Sequence, residues 1–221
     1  MNVIADYGVG NLFSLKCSFA AVGQSAAVTS DGNEILKADR IILPGVGAFS
    51  DAAKKLKESG LGKAVKKAAE NGVPLLGVCL GMQLLFEKSF EYGEWEGLGL
   101  LSGSVRPLSD IVPAGYKIPH TGWNALEFKK DSKLFKYIKN GDHVYFVHSY
   151  YAAECEDEIT SVTEYGAPVT ASVERGNVFG CQFHPEKSGE KGLMILKAFC
   201  EVKNDHLSGD RSVRRQSRKT L

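Results

Sequence analysis

The chain has 221 residues, of which 43% are hydrophobic, and a formal net charge of +1. This length suits one large domain, and the near-neutral charge excludes a general electrostatic preference for nucleic acid or membranes. No apolar run approaches the roughly 18–20 residues that span a bilayer, and residues 1–6 lack the pattern of a secretory signal. Five cysteines without Cys-x-x-Cys spacing argue against disulfides and zinc, so we expect a cytoplasmic protein with no metal and no cofactor.

The first half of the chain alternates between strand-like and helix-like segments. Short apolar strands are predicted at residues 2–5, 26–29, 40–43 and 73–78. Helical spacing of apolar residues covers 11–22, and a second helical stretch begins at Ser50 or Asp51 with a break near Gly60 and Gly62. This alternation predicts a parallel sheet with helices on both faces.

The second half consists mainly of short strands separated by turns. We predict strands at residues 104–108, 124–128, 143–147, 159–164, 169–174 and 178–183, and a last helix over about 190–200. The expected fold is therefore a single α/β domain over residues 1–203, with a largely parallel central sheet and additional antiparallel strands in the second half. Residues 204–221 are polar and basic, which predicts a disordered tail.

The most informative motif is Gly-x-Cys-x-Gly at residues 77–81, between a buried strand and a helical pattern. This pattern is typical of a nucleophile elbow, in which a sharp turn presents a reactive side chain beside the start of a helix. Cys79 is then the candidate nucleophile. A cysteine in that role needs thiolate character, which a helix N-terminus and a neighbouring histidine both favour.

His184 is the strongest of the five histidines as a partner for Cys79, because it ends a strand-like run and precedes Pro185. Glu186 follows two residues later, so its carboxylate can orient the imidazole and stabilise its charged form. Cys79, His184 and Glu186 thus form a candidate nucleophile, base and orienting acid. Taken alone, a histidine at a strand end is more often a surface residue.

Two further turns follow predicted strands. The turn at residues 44–49 carries Gly45, Val46 and Gly47, and its amides together with the Leu80 amide are candidates for an oxyanion hole. A simple glycine turn is the alternative. The turn at residues 7–11 begins like a dinucleotide fingerprint, but Phe13 occupies the third glycine position, which favours a tight turn that presents Asn11 at the sheet edge.

Together these motifs resemble the class I (triad-type) glutamine amidotransferases, whose fold is flavodoxin-like. Further stretches resemble the HisH family, the glutaminase subunits of imidazole glycerol phosphate synthase. The resemblance covers about residues 1–202 and rests on the following segments: 6–12, 44–47, 77–83, 119–124, 145–150 and 182–186.

The resemblance implies that Cys79 attacks the side-chain amide of glutamine and that a γ-glutamyl thioester is then hydrolysed. It implies substrate binding by Gly47, Gln83, Ser149 and Tyr150. It also implies that ammonia passes to a (β/α)8-barrel cyclase subunit, HisF, which converts PRFAR to imidazole glycerol phosphate and AICAR in histidine biosynthesis. Four residues match positions that the family places at that interface or its gate: Asn11, Trp123, Tyr145 and Lys187.

Several alternatives remain open from the sequence. From the residues alone, Gln83 can also be a solvent-facing helix residue and Trp123 a core residue. The chain can also serve another synthase, of the anthranilate or aminodeoxychorismate type, act alone as a thiol hydrolase, or be a non-catalytic interaction protein. Cys181 is interpreted as a buried packing residue. The remaining three cysteines are interpreted as structural: Cys17, Cys155 and Cys200.

Overall fold

The computed structural model describes residues 1–203, and the tail predicted at 204–221 lies outside the described residues. The helices of this part are α1 (Leu12–Ala21), α2 (Gly32–Leu36), α3 (Phe49–Glu58), α4 (Leu61–Glu70), α5 (Leu80–Gln83) and α6 (Gly189–Glu201). None of these helices is long and apolar enough to cross a membrane.

The strands of the first half are β1 (Asn2–Ala5), β2 (Ala26–Thr29), β3 (Arg40–Leu43), β4 (Leu75–Val78), β5 (Lys88–Ser89) and β6 (Trp95–Glu96). The strands of the second half are β7 (Ser104–Pro107), β8 (His120–Ala125), β9 (Glu127–Phe128), β10 (His143–His148), β11 (Tyr150–Ala153), β12 (Ile159–Glu164), β13 (Pro168–Arg175) and β14 (Val178–Cys181).

The central sheet has eight strands in the order β2-β1-β3-β4-β14-β13-β12-β9. The first five of these strands are parallel to their neighbours. The last three continue the sheet in antiparallel fashion. The predicted fold class is therefore confirmed, with β14 joining the parallel half although it comes last in sequence.

Helices cover both faces of the parallel half, and side-chain alternation along the strands explains why. In β1, Val3 packs into a core with Leu56 and Val65 of the helices α3 and α4. The next residue, Ile4, packs into a second core with helices α1 and α6. Successive strand side chains point to opposite faces, so an uninterrupted apolar strand needs a helical layer on each side.

Two smaller sheets extend the second half. Strands β8 and β10 form an antiparallel pair that joins His120 to His148 at one end and Ala125 to His143 at the other. The other small sheet has the order β11-β7-β5-β6. The strand predicted at 124–128 is in fact divided between β8 and β9, and Leu126, which lies between them, is almost fully buried.

Helix α3 begins at Phe49, earlier than the predicted cap at Ser50 or Asp51. The group that caps this helix comes from a distant part of the chain, since the Glu91 carboxylate accepts a hydrogen bond from the Phe49 backbone amide at 2.6 Å. An acidic group placed there satisfies an orphan amide at the helix N-terminus. The same carboxylate reappears below at the edge of a cavity.

Candidate active site

Strand order brings three distant segments of the chain together around Cys79. Strand β4 lies between β3 and β14, and all three run parallel. Their carboxyl ends therefore meet at one edge, which delivers residues 44–47, Cys79 and residues 182–186 to the same place. Open α/β sheets hold their sites at this edge.

The turn at Cys79 is strained, as an elbow requires. Cys79 has φ of 53° and ψ of −112°, a backbone conformation that non-glycine residues rarely adopt. Helix α5 starts at the next residue and packs directly on the neighbouring strand, since a Cβ at Gly81 would lie only 1.8 Å from the Leu43 carbonyl oxygen. The glycine after the nucleophile is thus a steric requirement of this turn.

His184 and Glu186 form a buried pair beside the elbow. The Nδ1 atom of His184 lies 2.9 Å from Oε1 of Glu186, and the two side chains are 3% and 1% exposed. A 3-10 turn over Pro185–Lys187 makes this contact across two residues, and the hydroxyl of Ser188 fixes the turn by donating to the His184 carbonyl at 2.6 Å. Cys79 and His184 line the same cavity, and the interaction with Cys79 contributes to the raised pKa of the imidazole.

The charge of His184 depends on two opposing effects, its burial and its interactions with neighbouring groups. Burial opposes the imidazolium, but hydrogen bonds and charge interactions with Cys79 and Glu186 outweigh burial and raise the pKa of His184 from 6.5 to about 9. The ring is therefore cationic at neutral pH. It can stabilise a thiolate and hold the proton that a leaving group needs.

The glycine turn after β3 has a fixed base and an exposed end. The Tyr7 hydroxyl donates to the Pro44 carbonyl at 2.6 Å. Gly45 is buried against α5, where a Cβ would lie 2.7 Å from the Gly81 amide nitrogen. Val46 is 43% exposed, and Gly47 is exposed with a φ of 93°.

The candidate oxyanion residues do not all reach the cavity. Val46, Gly47 and Leu80 line it together with Cys79, whereas Gly45 supports the turn from behind. Leu80 is the first residue of α5, so its amide belongs to the helical turn that has no partner within the helix. The assignment of individual oxyanion donors stays a prediction.

A cavity of about 610 Å³ opens beside Cys79 and His184. The four residues predicted to hold substrate all line it: Gly47, Gln83, Ser149 and Tyr150. Gln83 is only 4% exposed, so its alternative interpretation as a solvent-facing residue is wrong. Both side-chain hydrogen bonds that Gln83 makes within residues 1–203 use Nε2, one to the Tyr150 carbonyl at 3.1 Å and one to Gln182 at 3.0 Å.

Sequence reasoning missed three polar residues of this site. Glu91 lines the cavity. Burial and the charge of Asp51 raise the pKa of its carboxyl group, although the hydrogen bond from the Phe49 amide lowers it. His148 also lines it, and burial lowers its pKa to about 3. Gln182 is fully buried beside the sulfur of Cys79. Gln182 lay inside a recognised motif, whereas Glu91 lies in an irregular segment that carries no signal.

Three of the four predicted interface residues form a group at the rim. The rings of Trp123 and Tyr145 meet edge to face at 5.9 Å, and the Lys187 ammonium lies 5.8 Å from the Tyr145 ring centroid. Trp123 is 53% exposed, so its interpretation as a core residue is wrong. Asn11 instead caps α1, and its side chain accepts a hydrogen bond from the Ser14 amide.

The remaining cysteines divide into two groups. Cys155, Cys181 and Cys200 are buried, as predicted for structural residues. Cys17 is exposed, which contradicts its interpretation as a structural residue. It lies on α1 at a position that faces solvent because the apolar face of that helix is formed by Leu15 and Phe19.

The comparisons with known proteins agree with this geometry. The family model for class-I glutamine amidotransferases matches residues 3–202. Imidazole glycerol phosphate synthase subunit HisH of Caldanaerobacter subterraneus is 54% identical over 200 residues, which are 90% of this chain and 97% of that protein. The subunits of the same name from Moorella thermoacetica and Aquifex aeolicus are 50% and 49% identical, over 90% and 89% of this chain and 93% and 94% of theirs.

Solved structures of lower identity share the fold. A glutamine amidotransferase crystal structure superposes with a TM-score of 0.69 at 21% identity, covering 89% of this chain and 98% of its own. The structure of PurLQS from Thermotoga maritima gives a TM-score of 0.68 at 20% identity, with 90% and 96% coverage. At these identities the likeness concerns the fold alone.

Proposed function

Because the chain belongs to the class I glutamine amidotransferases and, within them, to the HisH family, we propose that it is the glutaminase subunit of an imidazole glycerol phosphate synthase. The observation that carries this proposal is the group formed by Cys79, His184 and Glu186 at the carboxyl edge of the parallel sheet, on a cavity of about 610 Å³. A cavity of that size holds a small ligand such as glutamine.

In the proposed reaction, the Cys79 sulfur attacks the side-chain amide carbon of glutamine. The resulting oxyanion is stabilised by amides of the 44–47 turn and of Leu80. Cationic His184 gives its proton to the amide nitrogen, the carbon–nitrogen bond breaks, and ammonia leaves a γ-glutamyl thioester on Cys79. Neutral His184 then takes a proton from water as the water attacks the thioester. This step releases glutamate and restores the Cys79 thiolate and the cationic His184.

Glu91 and Gln83 are proposed to orient the amino-acid end of the substrate. The Glu91 carboxylate is nearly buried, and burial, followed by the charge of Asp51, raises its pKa, so a cationic partner would stabilise its charged form. The α-ammonium of glutamine supplies such a partner. Because Gln83 uses Nε2 for its hydrogen bonds within the described residues, its carbonyl oxygen remains available to accept from a ligand.

The proposed partner is the barrel cyclase HisF, and the group Trp123, Tyr145 and Lys187 forms part of the contact. An exposed tryptophan beside a tyrosine is typical of a protein interface. Because this group lies next to the cavity, as Lys187 belongs to both, ammonia formed at Cys79 has a short way to a docked partner. The partner uses it to convert PRFAR to imidazole glycerol phosphate and AICAR.

The decisive experiment measures glutamate release by this chain alone, with the cyclase, and with the cyclase and its nucleotide ligand. We expect slow turnover alone and a stimulation on the order of 10–100-fold in the liganded complex. The proposed reason is that docking reorients a peptide of the 44–47 turn, whose end at Val46 and Gly47 is exposed. Equal turnover in all three mixtures would contradict a partner-dependent glutaminase, and co-purification with a partner that is not a barrel would favour another synthase.

The interface is tested with Trp123→Ala. We expect at least about 10-fold weaker binding to the cyclase, the usual effect of removing an aromatic anchor, and little change in the melting temperature because the side chain is half exposed. Trp95→Ala is the matched control, since Trp95 is also partly exposed but lies in the four-stranded sheet. Unchanged binding by the Trp123 variant would remove this group from the proposed interface.

A further inference from the structure

The side chain of Gln182 connects two residues of the site without reaching solvent. It is 0% exposed and follows strand β14, two residues before His184. Its Nε2 lies 3.6 Å from the Cys79 sulfur, and its Oε1 accepts a hydrogen bond from Gln83 Nε2 at 3.0 Å. A buried amide in this position has to satisfy its polar atoms with these neighbours.

The orientation of this amide is fixed by a backbone carbonyl. The Tyr150 carbonyl can only accept, so the Gln83 atom 3.1 Å from it must be the NH2 group. That same NH2 faces Gln182, so the Gln182 atom it meets must be the oxygen. The NH2 group of Gln182 is therefore the one that faces the sulfur, and an exchange of its two ends would leave two donors opposed.

From this chain of contacts we infer that Gln182 assists the nucleophile by donating an N–H hydrogen bond to the Cys79 sulfur, with Gln83 holding the donor in place. The inference rests on the proposed role of Cys79 and extends it. A neutral thiol is a weak acceptor, whereas a thiolate accepts a charge-assisted bond. The bond from Gln182 is therefore stronger in the anionic form and favours it.

The surroundings of the sulfur show why such a donor is needed. The Val147 carbonyl oxygen lies 3.9 Å away, where it can accept only from the protonated thiol. The pKa of Tyr7 is raised by burial and, to a lesser extent, by the charge of Cys79. Burial also raises the pKa of Cys181. Both groups therefore stay neutral near pH 7. His184 is a charged neighbour of the sulfur, and its imidazole also interacts with the Glu186 carboxylate. Gln182 thus adds a neutral, permanent donor beside the titrating ring of His184 and the first turn of α5.

The test is the alkylation of Cys79 by iodoacetamide as a function of pH, followed on the peptide that carries Cys79 by mass spectrometry. In Gln182→Met, which keeps the length of the side chain and removes the donor, we expect alkylation at pH 7 to slow on the order of 10-fold and the pH profile to move to higher pH. Gln182→Glu retains the acceptor for Gln83 but replaces the donor with an oxygen, so its profile should move at least as far.

The same samples contain an internal reference. Cys17 is exposed on α1 and lies outside the site, so its alkylation rate and pH profile should be the same in every variant. Ser172→Ala is the matched control for a buried polar residue of the same sheet, because Ser172 bonds to Thr160 and Ser161 instead of the sulfur. It should leave the Cys79 profile unchanged even where it lowers the melting temperature.

The complex with the cyclase provides a second readout. We expect both Gln182 variants to lose kcat for glutamine on the order of 10-fold. In Gln182→Glu, which keeps the acceptor for Gln83, KM should change by less than about 2-fold, because Gln182 does not line the cavity. A wild-type rate and pH profile of Cys79 alkylation in either folded variant would overturn the inference. Absence of glutamine turnover in the wild-type complex would instead overturn the proposed function, since alkylation needs no glutamine.

Discussion

His184 and His148 lie on the same cavity and are both nearly buried, yet at neutral pH the first ring is cationic and the second is neutral. The pKa of His184 is raised to about 9, and that of His148 is lowered to about 3. Burial acts downward on both rings. The difference lies in their partners.

The neighbours of the two rings explain this split. His184 faces a carboxylate and a sulfur, whereas His148 donates from Nδ1 to the Tyr150 carbonyl at 2.8 Å and lies 3.1 Å from the ring of His120. Against burial, a carbonyl is a weaker counterpart than a carboxylate. The charge of a histidine in this site is thus decided by whether the groups around its ring outweigh the effect of burial.

The largest expected effect comes from Cys79→Ala. This change should reduce glutamine turnover in the complex by at least about 10⁴-fold, because it removes the proposed nucleophile, while ammonia-dependent cyclase activity stays at the wild-type level. It should also lower the pKa of His184 below 9, since one of its two partners is lost and burial remains. Glutamate release and the NMR titration of the ring measure the two effects, and turnover that persists in this variant would exclude Cys79 as the nucleophile.

A smaller loss is expected for Glu186→Gln, which keeps the shape of the side chain and removes its charge. We expect turnover to fall on the order of 10²–10⁴-fold and the pKa of His184 to fall toward 6.5, which makes this ring more similar to His148. The fold should be preserved, as circular dichroism can verify. Global unfolding would show instead that the pair is mainly structural.

The stability difference between wild type and Glu186→Gln should depend on pH. A raised histidine pKa contributes stability that is fully present below pH 6.5, the unfolded value, and is lost as the pH rises through about 9. The wild type should therefore exceed the variant most near pH 6, by up to about 3 kcal/mol. Denaturant unfolding at pH 6, 7.5 and 9.5 tests this, and a difference that grows with pH would contradict the cationic state of His184.

The smallest effect is an expected absence of change. His148 should show no titration between pH 5 and 9, because its pKa lies near 3, whereas His184 should titrate near 9 in the same spectra. The ring signals of both residues can be assigned with His148→Gln and His184→Gln variants. A midpoint for His148 near 6.5 would mean that burial does not dominate its environment.

The sequence predicted which segments meet at the edge of the candidate site because the relevant information is local. Cys79, His184 and the 44–47 turn each follow a strand that is recognisable from its apolar run, and the rule for parallel sheets brings those strand ends together. The elbow was predictable from the glycines around Cys79, since close packing of α5 on β3 admits no side chain at Gly81.

What the sequence could not reveal depends on contacts between distant segments. Glu91 caps α3 from 42 positions away, so this helix begins earlier than the sequence predicted. The same separation explains why the sequence did not identify Glu91 as a residue of the cavity. The exposure of Cys17 follows from which face of α1 meets the sheet, and the weak amphipathic pattern of that helix does not decide this. The short strands β5 and β6 have two residues each, too few to show any periodicity.

The contact between the first two turns at the edge of the candidate site limits where the 44–47 turn can change shape. Tyr7 donates to the Pro44 carbonyl, and a Cβ at Gly10 would lie 2.9 Å from the Pro44 ring, so the 7–11 turn and Pro44 are packed closely together. Gly45 is packed as closely against α5. Val46 and Gly47 are the exposed residues of the 44–47 turn, so a backbone rearrangement that leaves this packing intact has to occur at these two residues.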